Sequence, residues 1–272
     1  MATHDGSCVI CLDMSPRPIQ SGCACRGDAG LAHAECRIKV AVAAASQSQN
    51  HVSAWGVCST CKQEFTGVMR RNLAEAWCLW VSDQPDESKE SLQAASNLTK
   101  CLLMEGKFAQ AEAPLLSLLT VRTRLLGAGN LVTFAVAGNL ASSFQGQGKF
   151  AKAEQILRSA LEHLKGKVGT EHPETLTAAA NLASSLAGQS KYVDAECILR
   201  ELILVQKRVI GSEHPNTLKT MGNLAEVLKS QQKHAEADII ECEVLRVKSR
   251  VLGPEHPDTL ATASNMSTWR LP

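Results

Sequence analysis

Apolar residues along much of this chain recur at intervals of three and four, the period of a helix that buries one face. Between Val68 and Val81, the residues Met69, Leu73, Ala76, Trp77 and Trp80 fall on one such face and predict a single amphipathic helix. Earlier, Arg37 to Ala45 combines apolar residues with good helix formers, which predicts a short helix followed by a polar loop from Ser46 to Val52. Ser82 to Asp86 is polar and carries Pro85, a break that marks a domain boundary.

From about residue 90 the pattern repeats every 42 residues. Asn97-Leu98 recurs as Asn139-Leu140, Asn181-Leu182, Asn223-Leu224 and Asn265-Met266. Ala111-Glu112 recurs as Ala153-Glu154, Ala195-Glu196 and Ala237-Asp238, and Gly127, Gly169, Gly211 and Gly253 keep the same register. Each unit reads as two helices. In the third, helix A spans Thr175 to about Gln189 with Leu176, Ala179, Leu182, Ala183 and Leu186 inward. Helix B spans about Lys191 to Ile210 with Ala195, Ile198, Leu199, Leu202 and Val205 inward. Gly211 supplies a left-handed stop, and Pro215 opens the next helix. Such a period predicts an α-α solenoid. Four units and a partial fifth helix, serving as a cap, fill residues 90–272. The first linker departs from the rest, reading Gly129-Asn130-Leu131 where the others read Glu-His-Pro.

The array is similar to tetratricopeptide repeats, of the 42-residue kind seen in kinesin light chains. That resemblance implies a concave groove lined by the A helices. Asn97, Asn139, Asn181 and Asn223 would hold the backbone of a substrate peptide there, and Lys219 and Lys229 would add charge. An equal alternative is that the asparagines bridge neighbouring helices. His172, His214 and His256 recur once per unit and read as structural, because metal ligands must converge on one ion.

Composition narrows the classes. A net charge of +1 leaves no broad electrostatic footprint for nucleic acid or anionic membrane. The longest apolar run near the N-terminus, Val40 to Ala45, falls far short of the about 20 residues of a membrane span. No charged-then-apolar leader opens the sequence, so a reducing, cytoplasmic setting is expected, with the nucleus left open. Of 11 cysteines, Cys78, Cys101, Cys197 and Cys242 are scattered and read as small buried hydrophobes.

The other seven carry the chemistry. They join one histidine in four pairs: Cys8-x2-Cys11, Cys23-x-Cys25, His33-x2-Cys36 and Cys58-x2-Cys61. Eight thiolate and imidazole ligands suffice for two closed tetrahedral zinc sites. The one-residue gap at Cys23-Ala24-Cys25, the Cys25-Arg26-Gly27 run before His33, and Trp55, Lys62 and Phe65 around the last pair resemble the RING-CH (RING-variant) zinc finger. A PHD finger shares the ligand order but fits the one-residue gap poorly.

The RING-CH resemblance implies a cross-brace, with Cys8, Cys11, His33 and Cys36 on one Zn2+ and Cys23, Cys25, Cys58 and Cys61 on the other. Both ions would be structural, with no catalytic residue on this chain. It further implies a ubiquitin ligase, in which Ile10 and Trp55 form the apolar floor that docks a ubiquitin-conjugating enzyme and Lys62 holds ubiquitin. Burial of Ile10 and Trp55 in a small core is the competing expectation. The chain is therefore expected to be mainly α: a two-zinc RING-CH domain over 1–67, an amphipathic helix and linker over 68–89, and the solenoid over 90–272. The alternative is a non-catalytic interaction scaffold with a structural zinc domain.

Overall fold

The computed structural model describes residues 7–16, 18–20, 25, 31–47 and 51–265. The chain forms two compact units, Met1–Val121 and Arg122–Pro272. The first holds a two-stranded antiparallel ribbon, β1 (Ile19–Gln20) and β2 (Leu31–Ala32), in which Ile19 pairs with Ala32. The helix α1 (Ala34–Gln47), a 3-10 turn at His51–Trp55, and the helices α2 (Gly67–Trp80) and α3 (Lys89–Met104) follow, and α4 (Phe108–Leu126) runs from the first unit into the second. Both α1 and α2 lie within a few residues of the expected spans.

The first unit is organised around Trp55, which is fully buried. Trp77 of α2 stacks on it at a centroid distance of 5.9 Å with the rings nearly parallel, and Trp80 leans on it at 5.9 Å. Met69 and Leu73 of α2, Phe65 and Ala41 complete the core, and Ala94 of α3 belongs to the same cluster. Arg71 of α2 pairs with Glu105, just past α3, at 3.3 Å. The first helix of the repeat pattern thus shares the core of the cysteine-rich segment. The two compact units consequently divide at Val121, within α4.

The second unit stacks α5 (Leu131–Gly146), α6 (Phe150–Val168), α7 (Pro173–Ala187), α8 (Tyr192–Val209), α9 (Pro215–Ser230), α10 (His234–Val251) and α11 (Pro257–Asn265). Each of α5 to α10 packs against the next. Leu140, Leu157, Leu164, Leu186, Leu199 and Leu228 are almost wholly enclosed. Helix B of the third repeat buries Ala195, Leu199, Leu202, Ile203 and Gln206, a face rotated slightly from the expected one, with Ile198 and Val205 only half-buried.

The recurring histidines start helices. Nδ1 of His172, His214 and His256 accepts a hydrogen bond from the backbone N–H two residues on, at Glu174, Asn216 and Asp258. Asn130 does the same work in the deviant linker, its Oδ1 accepting from Val132 N–H at 2.9 Å. The Asn-for-His exchange keeps an N-cap acceptor in place. Among the spare cysteines, Cys101 is buried and Cys78 half-buried, while Cys197 and Cys242 are exposed on α8 and α10, contrary to expectation. Among the described residues no helix is long and apolar enough to cross a membrane.

Candidate functional site

Cys8, Cys11, His33 and Cys36 bring their ligand atoms within 4.8 Å of one another. Nδ1 of His33 lies 3.3 Å from Sγ of Cys11 and 3.7 Å from Sγ of Cys36. Ligands on a tetrahedral zinc with ordinary bond lengths stand about 3.6 Å apart for S and N, and about 3.8 Å for two sulfurs. The observed separations match. Nε2 of His33 donates to the Pro16 carbonyl, which fixes the ring so that Nδ1 faces the thiols. Sequence reasoning missed Pro16, because a carbonyl acceptor leaves no mark in residue type.

The thiols of this cluster are unequal. Burial works against ionisation of Cys8, but the N–H groups of Cys11, His33 and Ile10 converge on its sulfur and bring it down to about 6. Burial and the neighbouring Cys11 and Cys8 sulfurs push Cys36 up to about 11. One thiolate is ready near neutral pH, and a bound cation would draw the remaining protons off.

Cys25, Cys58 and Cys61 form a second cluster, with Sγ of Cys25 and Cys58 3.8 Å apart. Cys23, the fourth expected ligand, lies outside the described residues. The two Cys-x2-Cys turns match bond for bond. Leu12 N–H donates to the Cys8 carbonyl and Cys8 N–H to Asp13, just as Lys62 N–H donates to Cys58 and Cys58 N–H to Gln63. Leu12 and Lys62 both adopt left-handed backbone, φ 62° and 60°, which turns each chain back over its cysteines.

The expected docking residues separate. Ile10 is 36% exposed and Lys62 is exposed, whereas Trp55 is enclosed by Trp77 and Trp80. Trp55 is therefore core, not the floor of an open groove. The reason is the tryptophan pair on α2, which covers it. Exposed apolar surface beside the first cluster comes instead from Val9, Ile10, Leu12 and Met14.

In the second unit, a cleft of about 590 Å³ opens between α7 and α9, closed at its base by the end of α8. It brings together Asn181, Asn223 and Lys219. Their side chains make no hydrogen bond among the described residues, so Asn181 and Asn223 do not bridge helices. The bridge between neighbouring A helices is Gln145, which donates to the Asn181 carbonyl and to Ser185 Oγ. Asn139 and Asn97 do not line the cleft. Lys229 is no groove cation: it pairs at 2.8 Å with Glu241, whose side chain is 6% exposed.

Successive repeats are clamped by one acidic residue. Glu154 of α6 accepts from Gln189 at 2.7 Å and Lys191 at 2.8 Å, in the turn of the following repeat, while Arg158 steadies its other oxygen. Glu196 receives Gln231, Lys233 and Arg200 in the same way. Hydrogen bonds from Lys191 and from Lys233, opposed by burial, hold the Glu154 and Glu196 carboxyls down to about 2.

The tetratricopeptide repeat family model matches residues 90–166, 132–203 and 174–249, successive matches starting 42 residues apart. The chain is a tetratricopeptide repeat protein. A crystal structure of the Podosopora anserina putative kinesin light chain, with nearly identical TPR-like repeats, is similar at 17% identity and a TM-score of 0.57. The match covers 79% of this chain and 95% of that one. BtubC (BKLC) from P. vanneervenii is similar at 20% identity and a TM-score of 0.58, covering 71% and 77%. At these identities the likeness shows the fold alone. No curated protein sequence matches.

As a tetratricopeptide repeat protein the chain carries a protein-interaction array. Its turns between helices A and B place Gly106, Gly148, Ser190 and Gln232 at one register position, all with positive φ. The first two repeats fill that left-handed position with glycine. The later two accept the strain.

Proposed function

We propose that this chain is a RING-type ubiquitin ligase, with the N-terminal unit recruiting a charged conjugating enzyme and the tetratricopeptide array selecting the substrate protein. The observation that carries the reading is the exposed apolar strip of Val9, Ile10, Leu12 and Met14 on the knuckle of the first Cys/His cluster. An exposed apolar strip beside a rigid, ligand-braced turn suits a shallow docking contact. Two Zn2+ ions are the proposed cofactors, held by Cys8, Cys11, His33 and Cys36 and by Cys23, Cys25, Cys58 and Cys61. When bound they supply folding free energy, not chemistry.

In the proposed reaction the amine of a substrate lysine attacks the thioester carbonyl of ubiquitin. An isopeptide bond forms, the conjugating enzyme's cysteine leaves as thiolate, and the amine proton passes to solvent. No residue of this chain becomes covalently linked. Its contribution is orientation of the charged enzyme. The proposed setting is cytoplasmic or nuclear.

A second reading, a binding scaffold whose zinc unit is only structural, is favoured by the burial of Trp55. Single-turnover discharge of a panel of ubiquitin-charged conjugating enzymes separates the two. The ligase reading expects the full, zinc-loaded chain to accelerate discharge with at least one enzyme, and Ile10→Ala to remove the acceleration while leaving the melting profile unchanged. A silent native chain across the panel establishes the scaffold instead.

A further inference from the structure

On the B-helix side of the array, α6 and α8 leave a groove of about 390 Å³ between them, floored by α7. Leu161, Ile198 and Val205 line its walls, and Leu176 and Ala179 its floor. The flanking repeats each carry a bulkier residue at one of the two floor positions. Phe134 stands 42 residues before Leu176, Met221 stands 42 residues after Ala179, and both are buried. The third repeat has neither, and its groove stays open.

The lips of the groove are charged and apart. Lys165 of α6 and Glu201 of α8 border it, and neither makes an ion pair among the described residues. One repeat on, the equivalent residues are Lys207 and Glu243, which pair with each other at 3.4 Å. One repeat earlier they are Thr123 and Ser159, without charge. This groove thus presents an unused cation on one wall and an unused anion on the other.

Beside it stands an apolar residue that the register does not call for. Leu204 borders the groove and is 71% exposed, whereas the same position in the other repeats is Thr120, Glu162 and Arg246. Val193, three turns earlier on the same line of α8, is equally exposed and lengthens the apolar face.

We propose that this face joins two copies of the chain about a two-fold axis. In a two-fold contact a patch meets itself, so it must hold both halves of every interaction. This one does. Leu204 of each copy enters the groove of the other, and Lys165 of each pairs with Glu201 of the other. A partner of a single charge sign would satisfy only one of the two walls.

Sedimentation velocity of the full chain, over a dilution series reaching about 100 μM, tests the contact. The native chain is expected to pass from monomer to dimer as concentration rises. Leu204→Glu installs the residue that the second repeat carries, and it should stay monomeric with the melting profile of the native monomer unchanged. Lys165→Glu and Glu201→Lys should each weaken the dimer at least about tenfold, by setting like charges against each other. Mixed together, those two variants should associate again, because each brings the charge that the other lacks. A dimer indifferent to Leu204→Glu, or a mixture that does not recover association, would overturn the proposal. A native chain that stays monomeric throughout the series would overturn it too, and would leave the groove to a different protein.

Discussion

Lys233 reaches back from one repeat to Glu196 of the repeat before it at 2.8 Å, and Lys191 reaches back to Glu154 at the same distance. The pairs are 42 residues apart and use the same atoms, so the stack is held by a contact that recurs with the fold.

These carboxylates are held well below their usual range, so their contribution is present above about pH 4.5 and is lost as pH falls towards about 2. Glu196→Gln should cost on the order of 1–2 kcal/mol at neutral pH, discounted because the lysine partner is partly exposed. The double variant Glu154→Gln, Glu196→Gln should show a flatter stability profile between pH 5 and 2 than the native chain, read by denaturant melts across that interval. An unchanged acid profile would remove the clamp from the account.

Ser190 and Gln232 sit where Gly106 and Gly148 sit in earlier repeats, all at positive φ. A Cβ in left-handed backbone costs about 1–2 kcal/mol, offset in part by the greater freedom of glycine when unfolded. Ser190→Gly and Gln232→Gly should each raise stability by about 0.5–1 kcal/mol, and Gly148→Val should lower it by more. Thermal melts of the three variants check the signs.

The helix starts offer a third comparison. His214 caps α9 through Nδ1, and Asn130 caps α5 through Oδ1. His214→Ala should lose about 1 kcal/mol, while His214→Asn should be nearly neutral. Equal losses in both would show that the ring is held for packing instead.

The repeat was legible because its signals are local: Asn-Leu, Ala-Glu and Gly recur in phase, and Pro215 and Gly211 punctuate the helices where expected. What escaped depends on long-range packing. Trp55 follows the pattern of a docking aromatic, and only the fold reveals that Trp77 and Trp80 cover it. Lys229 looked free until α10 brought up Glu241 from twelve residues on. In the cysteine-rich segment the four ligand pairs were readable from spacing, and their division into two clusters came from the RING-CH resemblance. The His33 tautomer and the matched backbone turns at Leu12 and Lys62 needed coordinates.

Lys229 and Glu241 replace Ala187 and Leu199 of the preceding repeat, so an ion pair sits where the third repeat carries two apolar residues. Breaking it with Lys229→Ala alone should destabilise by about 3 kcal/mol, because the buried carboxylate is left uncompensated. The double change Lys229→Ala, Glu241→Leu should match or exceed native stability. A double variant as weak as the single one would contradict that reading.

The claim on which the account most depends is that the N-terminal unit is built by two metal ions, one for each cluster. Native mass spectrometry of the full chain, with Cys36→Ser and Cys61→Ser alongside, addresses it directly. Two zinc ions are predicted on the native chain, with one lost in each variant as its own cluster opens. A native chain that folds with one zinc or none would contradict the cross-brace, and the ligase proposal would fall with it.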